Sequence, residues 1–309
     1  MKKIYLLFIS LLAFVLFVIL IFYNIYAKSY DEEKINDYIS KNIEILNENL
    51  DTEKRYALSL SLLISQNPVI KEALKLNNQK VTLFEISTIL KNIKKSTHIG
   101  NINIQIHTKD LRAFARNWDN SNYFGVKLGS FRKGLVIVKK TKEPFVSIEL
   151  GKRLNIKAIS PILDKKGNFM GSIEVIMDFV NITKRLKNFN LKMMILLDKR
   201  FIHIAVDVKK HKKIGRYYIV GEEFDKKLYA RLVKNQYIFQ RKKPYYILDK
   251  NIIVVLPMKS VGILDVGFIL LSMDSKQSNP YITYSVQEIN QENSNYRFNK
   301  TKKREVIIK

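Results

Sequence analysis

Residues 4–27 (IYLLFISLLAFVLFVILIFYNIYA) run for 24 positions without a formally charged side chain, and nothing else in the chain constrains it as much. About 20 apolar residues cross the hydrocarbon core of a bilayer, so this run suffices for one spanning helix. Tyr5, Tyr23 and Tyr26 stand near its ends, where amphipathic rings favour the headgroup layer. A cleaved leader has a shorter apolar core, about 7–15 residues, and ends in small residues. Here the candidate ending is Ile25-Tyr26-Ala27, and no cysteine is present for lipidation. The run reads as an uncleaved anchor. Lys2 and Lys3 make its first flank purely basic, while Lys28, Asp31, Glu32, Glu33 and Lys34 make the second mixed. Positive-inside counting places the N-terminus in the cytoplasm. Residues 261–273 (VGILDVGFILLSM) are too short for a second span and contain Asp265 and Gly267. Everything after residue 27 is therefore expected on one side, outside the cytoplasm.

The chain has 54 Lys+Arg against 28 Asp+Glu, a formal charge of +26. A dedicated phosphate binder concentrates such charge on one face or arm. Here lysine is spread along the whole length among isoleucine and asparagine, so no nucleic-acid partner is inferred. The absence of cysteine removes disulfides, thiolate metal sites and cysteine nucleophiles. His98, His107, His203 and His211 include no pair at helical ligand spacing, so no metal and no cofactor is expected. No phosphate-binding loop, dinucleotide fingerprint, nucleophile elbow or zinc-protease motif occurs.

Beyond the anchor, Ile35, Ile39, Ile43, Leu46 and Leu50 form one helical stripe. The stripe is expected to continue through Leu58, Leu62 and Leu63 and to stop at Asn67-Pro68. A helix over 29–66 would be about 55 Å long at 1.5 Å per residue. Shorter helices are expected near 69–77 and 82–95. After residue 100 the pattern turns strand-like: NINIQIHT, GLVIVKK, PFVSIEL, NIKAISPIL and GSIEVIMDF. A helical stretch, NITKRLKNFN, leads to a second block of KMMILLD, RFIHIAVDV, YYIV, PYYILD, NIIVVLPM and VGFILLSMD. Asp164-Lys165-Lys166-Gly167 is one of the turns between strands. Shifted by 96 positions, Pro161, Gly171, Ile173, Met177 and Asp178 fall on Pro257, Gly267, Ile269, Met273 and Asp274. Five identities in 18 positions suggest two copies of one α/β module. Residues 276–309 read as a short helix or a loose polar tail.

The richest chemistry lies in His107-Thr108-Lys109-Asp110-Leu111-Arg112-Ala113-Phe114-Ala115-Arg116-Asn117-Trp118 and the following Tyr123 and Arg132. If 113–118 is a strand, Phe114, Arg116 and Trp118 share a face. A guanidinium beside an indole and a phenol can hold a carboxylate in bidentate fashion and shield it from water. The same residues also suit a core tryptophan with solvated arginines, and the pattern alone does not choose. Glu149 in VSIEL and Lys157 in NIKAISPIL face either a pocket or the wet side of a half-buried sheet. Asp178 and Asp274 read as strand-end caps, and His107 as a local hydrogen-bonding residue. No nucleophile with an acid/base pair can be assembled, so no catalytic residue is assigned and the chain is not read as an enzyme.

With these residues in place, the chain resembles the double-Cache (tandem PAS-like) sensory domains of bacterial methyl-accepting chemotaxis receptors, sensor histidine kinases and diguanylate cyclases. The carrying residues are 107–118, Tyr123, Gly125, Leu128, Phe131 and Arg132, then Ile148-Glu149-Leu150-Gly151, Ile159, Pro161 and Gly171-Ser172-Ile173-Glu174. The resemblance covers about residues 30 to 275. It implies an α+β fold: a transmembrane helix, a long stalk helix, then two tandem modules with antiparallel sheets, the membrane-distal one binding the ligand. The boundaries read as 1–27 stub and anchor, 28–100 helices, 101–183 distal module, 184–275 proximal module and 276–309 tail. Two departures stand out. Relatives tend to have Gly-Asp-Asp-Leu where this chain has Gly125-Val126-Lys127-Leu128, and Arg where it has Lys157. Lysine keeps the charge but loses the planar fork. A second anchor and an output region are not seen.

The expected function is a sensor in the bacterial inner membrane, with residues 28–309 outside the cytoplasm, binding a small anionic or amino-acid-like metabolite. Its candidate ligand residues are Phe114, Arg116, Trp118, Tyr123, Arg132, Glu149 and Lys157. A homodimer through the long helix and a separate signalling partner are expected with it. The alternative is a basic envelope module that holds acidic polymers or a partner protein and has no metabolite pocket.

Overall fold

The computed structural model describes residues 2–96, 102–118 and 123–275; the 276–309 tail and His98 lie outside them. Helix α1 (Lys2–Ser65) is unbroken. Its first part, to Ile35, belongs to one compact unit, carries an apolar window suited by length and composition to crossing a membrane, and exposes Leu12, Phe14, Phe17 and Phe22.

Residues Asn36–Ser275 form the other compact unit. Within it α1 buries Ile39, Leu46, Leu50, Glu53, Ala57, Ser61 and Ile64. This corrects the expected stripe beyond Leu50, since Leu62 and Leu63 are exposed. Steps of three and four from Leu50 lead to 53, 57, 61 and 64, and the polar residues on that path have partners. Glu53 accepts from Asn181 at 3.0 Å and from Arg185 at 2.7 Å, and Ser61 Oγ meets Ser160 Oγ at 2.7 Å. Ile39, Leu46 and Leu50 are thus occupied within the chain, whereas Ile35 and Ile43 of the same stripe are half-buried.

Asn67 caps α2 (Pro68–Lys75), its side chain accepting from Ile70 N at 3.1 Å with Pro68 opening the helix. Helix α3 (Gln79–Ser96) buries Thr82, Ile86 and Leu90 at helical spacing. The first sheet comprises β1 (Ile102–Thr108), β2 (Ala113–Arg116), β3 (Phe145–Leu150), β4 (Leu154–Leu163) and β5 (Phe169–Met177), in the order β2-β1-β5-β4-β3. All its pairings are antiparallel. Strands β2 and β3 lie at opposite edges, so the chain between them crosses one face of the sheet. It does so as α4 (Lys133–Thr141), not as the strand expected from GLVIVKK. A seven-residue apolar run is ambiguous by period. Here Gly134, Leu135 and Val138 turn inward at helical spacing while Val136 is exposed.

Helix α5 (Val180–Lys187) has Phe179 at its N-cap without a side-chain cap, and Asp178 forms a turn at the strand end by accepting from Val180 N at 3.0 Å. The second sheet follows: β6 (Lys192–Asp198), β7 (Lys213–Ile214), β8 (Tyr217–Ile219), β9 (Tyr246–Leu248), β10 (Asn251–Ser260) and β11 (Ile263–Asp274). Its order is β7-β8-β6-β11-β10-β9. RFIHIAVDV is no strand; it forms short 3-10 turns at Lys199–Phe201 and Val206–Lys210, begun where Asp198 accepts from Arg200 N at 3.0 Å. Helix α6 (Lys226–Lys234), capped by Asp225 accepting from Leu228 N at 2.7 Å, was not foreseen.

The internal match at 96 positions is structural. Pro161 pairs with Ser172 and Ile162 with Gly171 in the first sheet; Pro257 pairs with Phe268 and Met258 with Gly267 in the second. Both hairpins share one register. Both glycines let a neighbouring strand approach: a Cβ at Gly171 would strike the His107 carbonyl, and one at Gly267 the Leu196 carbonyl.

Candidate functional site

The first sheet has two unlike faces. Ile104, Ile106, Ile156, Ala158, Ile173 and Val175 alternate onto one, all fully buried. Ser160 on this face meets Ser61 of α1, and Leu74 of α2 lies against Gly171. The register puts Gln105 opposite both Arg116 and Glu174, His107 opposite Ser172, and Ser147 opposite Lys157. By the strand period Glu149 shares the other face with these, while the β1–β2 register shifts between Ile106 and His107 and leaves Phe114 unpaired. Segment 123–141, including α4, covers it, with Tyr123, Leu128, Leu135 and Val138 packed on Ala113 and Ile159.

Two groups of polar residues lie on this covered face. At the β2 edge, Arg116 is buried, with its guanidinium carbon 4.1 Å from the Tyr123 ring centroid and 5.4 Å from that of Trp118. The Tyr123 hydroxyl accepts from Arg116 N at 3.1 Å and from Gln79 Nε2 at 3.4 Å. Phe114 is fully buried, its ring centroid 6.1 Å from that of Phe124. Trp118 lies past the end of β2 and is 40% exposed, so of the three residues expected on one strand only Phe114 and Arg116 lie in it.

Farther across, Arg132 at the start of α4 donates to Glu149 at 3.3 Å and to Glu174. Glu149 also accepts from Gly134 N at 3.2 Å, and Gly134 fits because Glu149 and Ile159 stand 2.9 Å from where a Cβ would be. His107 Nδ1 bonds Ser172 Oγ at 3.0 Å. His107 Nε2 faces Glu174 Oε2 at 3.8 Å, and both atoms are buried without a hydrogen-bond partner. Lys157 lies with its ammonium 2.6 Å from where a Cβ on Gly151 would sit. Glu149 and Lys157 are each 3% exposed, which settles the open question: neither is on a wet face.

Burial governs the charges. It drives the His107 pKa down to about 4, with Glu174 opposing and Arg132 assisting, so the imidazole is neutral at pH 7. It drives Lys157 down to about 8, with Arg132 assisting and both glutamates opposing. Burial alone would raise Glu174, but Arg132, Lys157 and His107 outweigh it and hold the carboxyl below its ordinary value. The glutamates likewise outweigh burial at Arg132, raising its pKa. By residue type the group balances, with Arg132 and Lys157 set against Glu149 and Glu174. Arg132 is already bonded to carboxylates of its own chain, unlike the ligand-facing arginine expected from sequence.

Sequence reasoning missed Glu174, His107 and Gln105 as members of this face. Glu174 carried a usable signal, a lone acid in GSIEVIM just as Glu149 is in VSIEL. Among the described residues no group of three or more His, Asp or Glu side chains is placed to hold a metal ion. An open groove along the surface of α1, lined by Ser40, Ile43, Glu44, Glu48 and Arg55, shares no residue with the polar face.

The second sheet provides an internal comparison. The conserved 96-residue offset and the matching registers put Ile253 at the place of Lys157, Leu270 at Glu174 and Phe268 at Ser172. Strand pairing puts Leu196 at His107 and Leu248 at Glu149. All five are buried in one apolar cluster with Tyr217 and Ile238. The covered face is ionic in one module and apolar in the other.

A family model described as the double sensory domain of two-component sensor kinase matches residues 32–212. No curated protein sequence matches significantly. Among solved structures, the sensor domain of the V. cholerae histidine kinase DctB is 11% identical, with 77% of this chain and 96% of that one covered at a TM-score of 0.48. The ligand-binding domain of the Pseudomonas fluorescens chemoreceptor CtaA, in complex with L-serine, is 14% identical over 79% and 99% of the two chains at 0.46. That of the Campylobacter jejuni chemoreceptor Tlp3, in complex with 4-methylisoleucine, is 10% identical over 82% and 96% at 0.45.

Proposed function

The chain belongs to the dCache_3 family of double sensory domains, and from that premise we propose that its first module is an extracytoplasmic receptor for a small amino-acid-like carboxylate. One observation carries the reading. The covered face tolerates a wholly apolar filling in the second module, yet in the first it holds Arg132, Glu149, Lys157 and Glu174. Buried charges are a poor means of stabilising a fold, so their presence on one of two equivalent faces points to recognition. Arg116, flanked by Tyr123 and Trp118, takes the ligand's carboxylate. Glu149 and Glu174 neutralise Arg132 and disfavour a second anion, which favours an amino-acid-like ligand over a dicarboxylate. Residues 4–27 anchor the receptor in the inner membrane, with the sensory part outside the cytoplasm. A homodimer through the outward face of α1 and a separate signalling partner complete the reading.

The test is a thermal-shift screen of the detergent-solubilised chain against amino acids, mono- and dicarboxylates and amines, with Arg116→Ala alongside. A ligand at 100 times its dissociation constant adds about 2.7 kcal/mol. A shift with amino acids that Arg116→Ala abolishes supports the proposal. A cooperative melt that no compound shifts overturns it and favours the basic envelope-binding alternative, whose binding falls steeply with salt.

A further inference from the structure

Among the described residues, the polar contacts between the two modules gather at one place. Ser260, buried at the end of β10, accepts the Leu150 N–H on its Oγ at 3.1 Å, and Leu150 directly follows Glu149. The Lys133 ammonium donates to the Gly262 carbonyl at 3.5 Å, and Lys133 directly follows Arg132. Asp207 N donates to the Lys152 carbonyl at 3.1 Å, and the Asp207 carboxylate pairs with Arg153 at 3.3 Å. Lys152 and Arg153 follow Gly151, beside which the Lys157 ammonium lies. Each contact therefore borders one charged member of the ionic face. Gly262 has φ +71°, and a Cβ there would collide with the Lys133 side chain, so the tip of the β10–β11 hairpin seats closely on α4.

We propose that Ser260 and Gly262 of the second module are positioning residues for the ligand site of the first. Strand β3 is an edge strand, and the Ser260 hydroxyl supplies an acceptor to its outward Leu150 N–H. That bond fixes the end of β3 from which Glu149 reaches Arg132 and Gly134 N. The Gly262 carbonyl fixes Lys133, and with it the first turn of α4 from which Arg132 reaches back. A ligand that alters the Arg132–Glu149 geometry must then alter how the hairpin tip seats. Linkage makes the effect reciprocal. The functional half of this inference rests on the ligand-site reading above; the coupling itself can be read without a ligand.

The experiment is hydrogen–deuterium exchange of the detergent-solubilised full chain, comparing wild type with Ser260→Ala, Ser260→Thr and Glu149→Gln. Ser260→Ala should speed exchange in residues 131–138 about tenfold, the usual consequence of leaving a buried donor without its acceptor. Ser260→Thr, which keeps a hydroxyl, should restore most of the protection. Glu149→Gln should in turn speed exchange in residues 256–262. Should Ser260→Ala fail to fold, Gly262→Ala and the Glu149→Gln arm carry the same test. Faster exchange confined to the substituted module, or equal acceleration in α2 and α3, would overturn the proposal as purely local or purely global. Because no ligand is added, a negative result here leaves the receptor reading standing, and a failed ligand screen leaves this coupling standing.

Discussion

Substituting Glu174 by leucine, the residue its counterpart Leu270 already is, should destabilise the protein, whereas converting the whole network to the second module's pattern should not. Glu174 has no exposed area, and the Arg132 side chain bonded to it is 6% exposed. Removing one partner of a buried ion pair costs about 3–5 kcal/mol. Arg132 keeps Glu149 at 3.3 Å, so the lower end, about 3 kcal/mol, applies. For a unit of this size that is a fall in Tm of about 6–12 °C. The combined variant His107→Leu, Arg132→Met, Glu149→Leu, Lys157→Ile and Glu174→Leu removes every charge of the network together. Such replacements are often neutral or stabilising by about 1–4 kcal/mol. Thermal unfolding of the detergent-solubilised chain followed by circular dichroism at 222 nm, a helix-sensitive band, measures both. A combined variant no more stable than Glu174→Leu would refute the reasoning. The ions would then be structural, and the contrast between the modules would no longer point to a ligand.

The folded pKa of His107, about 4, lies below its ordinary 6.5, so as pH falls the unfolded chain binds the proton first and stability drops between those values. The loss is about 2 kcal/mol at pH 5; urea midpoints at pH 7 and 5 should differ accordingly, and His107→Gln should narrow the gap. Glu174 adds a loss of the same sign below its ordinary carboxylate range. Lys157 acts at the alkaline end: its folded value of about 8 against 10.5 means that stability rises with pH across that interval. Arg185→Ala takes from Glu53 its 2.7 Å partner while Asn181 remains; a loss of about 1–2 kcal/mol is expected, and an unchanged urea midpoint would show that Arg185 contributes nothing to the α1–α5 contact. Gly267→Ala forces β6 and β11 apart at Leu196, costing about 1–3 kcal/mol as overpacking does, and wild-type stability would contradict the close approach.

Much of this architecture was legible because strand alternation is a local property. NINIQIHT, PFVSIEL, NIKAISPIL and GSIEVIMDF became β1, β3, β4 and β5, and the 96-residue match marked two hairpins of one register. GLVIVKK became a helix because the chain had to cross from one sheet edge to the other, which no seven-residue window records. RFIHIAVDV became turns because Asp198 bonds the backbone at Arg200 and ends the strand. The α1 stripe passes through Glu53 and Ser61 because their partners, in α5 and β4, lie more than 90 residues away. The same limit applied to the site. Sequence could name Arg132, Glu149 and Lys157, but only the strand register shows that they share a face with Glu174 and His107.

Two hairpins of one register also present a hazard of misassembly, for either could in principle pair with the other's neighbours during folding. Inserting β5 into the second module would carry Glu174 into the place of Leu270, among Tyr217, Ile238 and Phe268, where an unpaired carboxylate is strongly disfavoured. Inserting β11 into the first would leave Arg132 short of a counter-ion. The unequal faces therefore penalise any exchange of hairpins between the repeats.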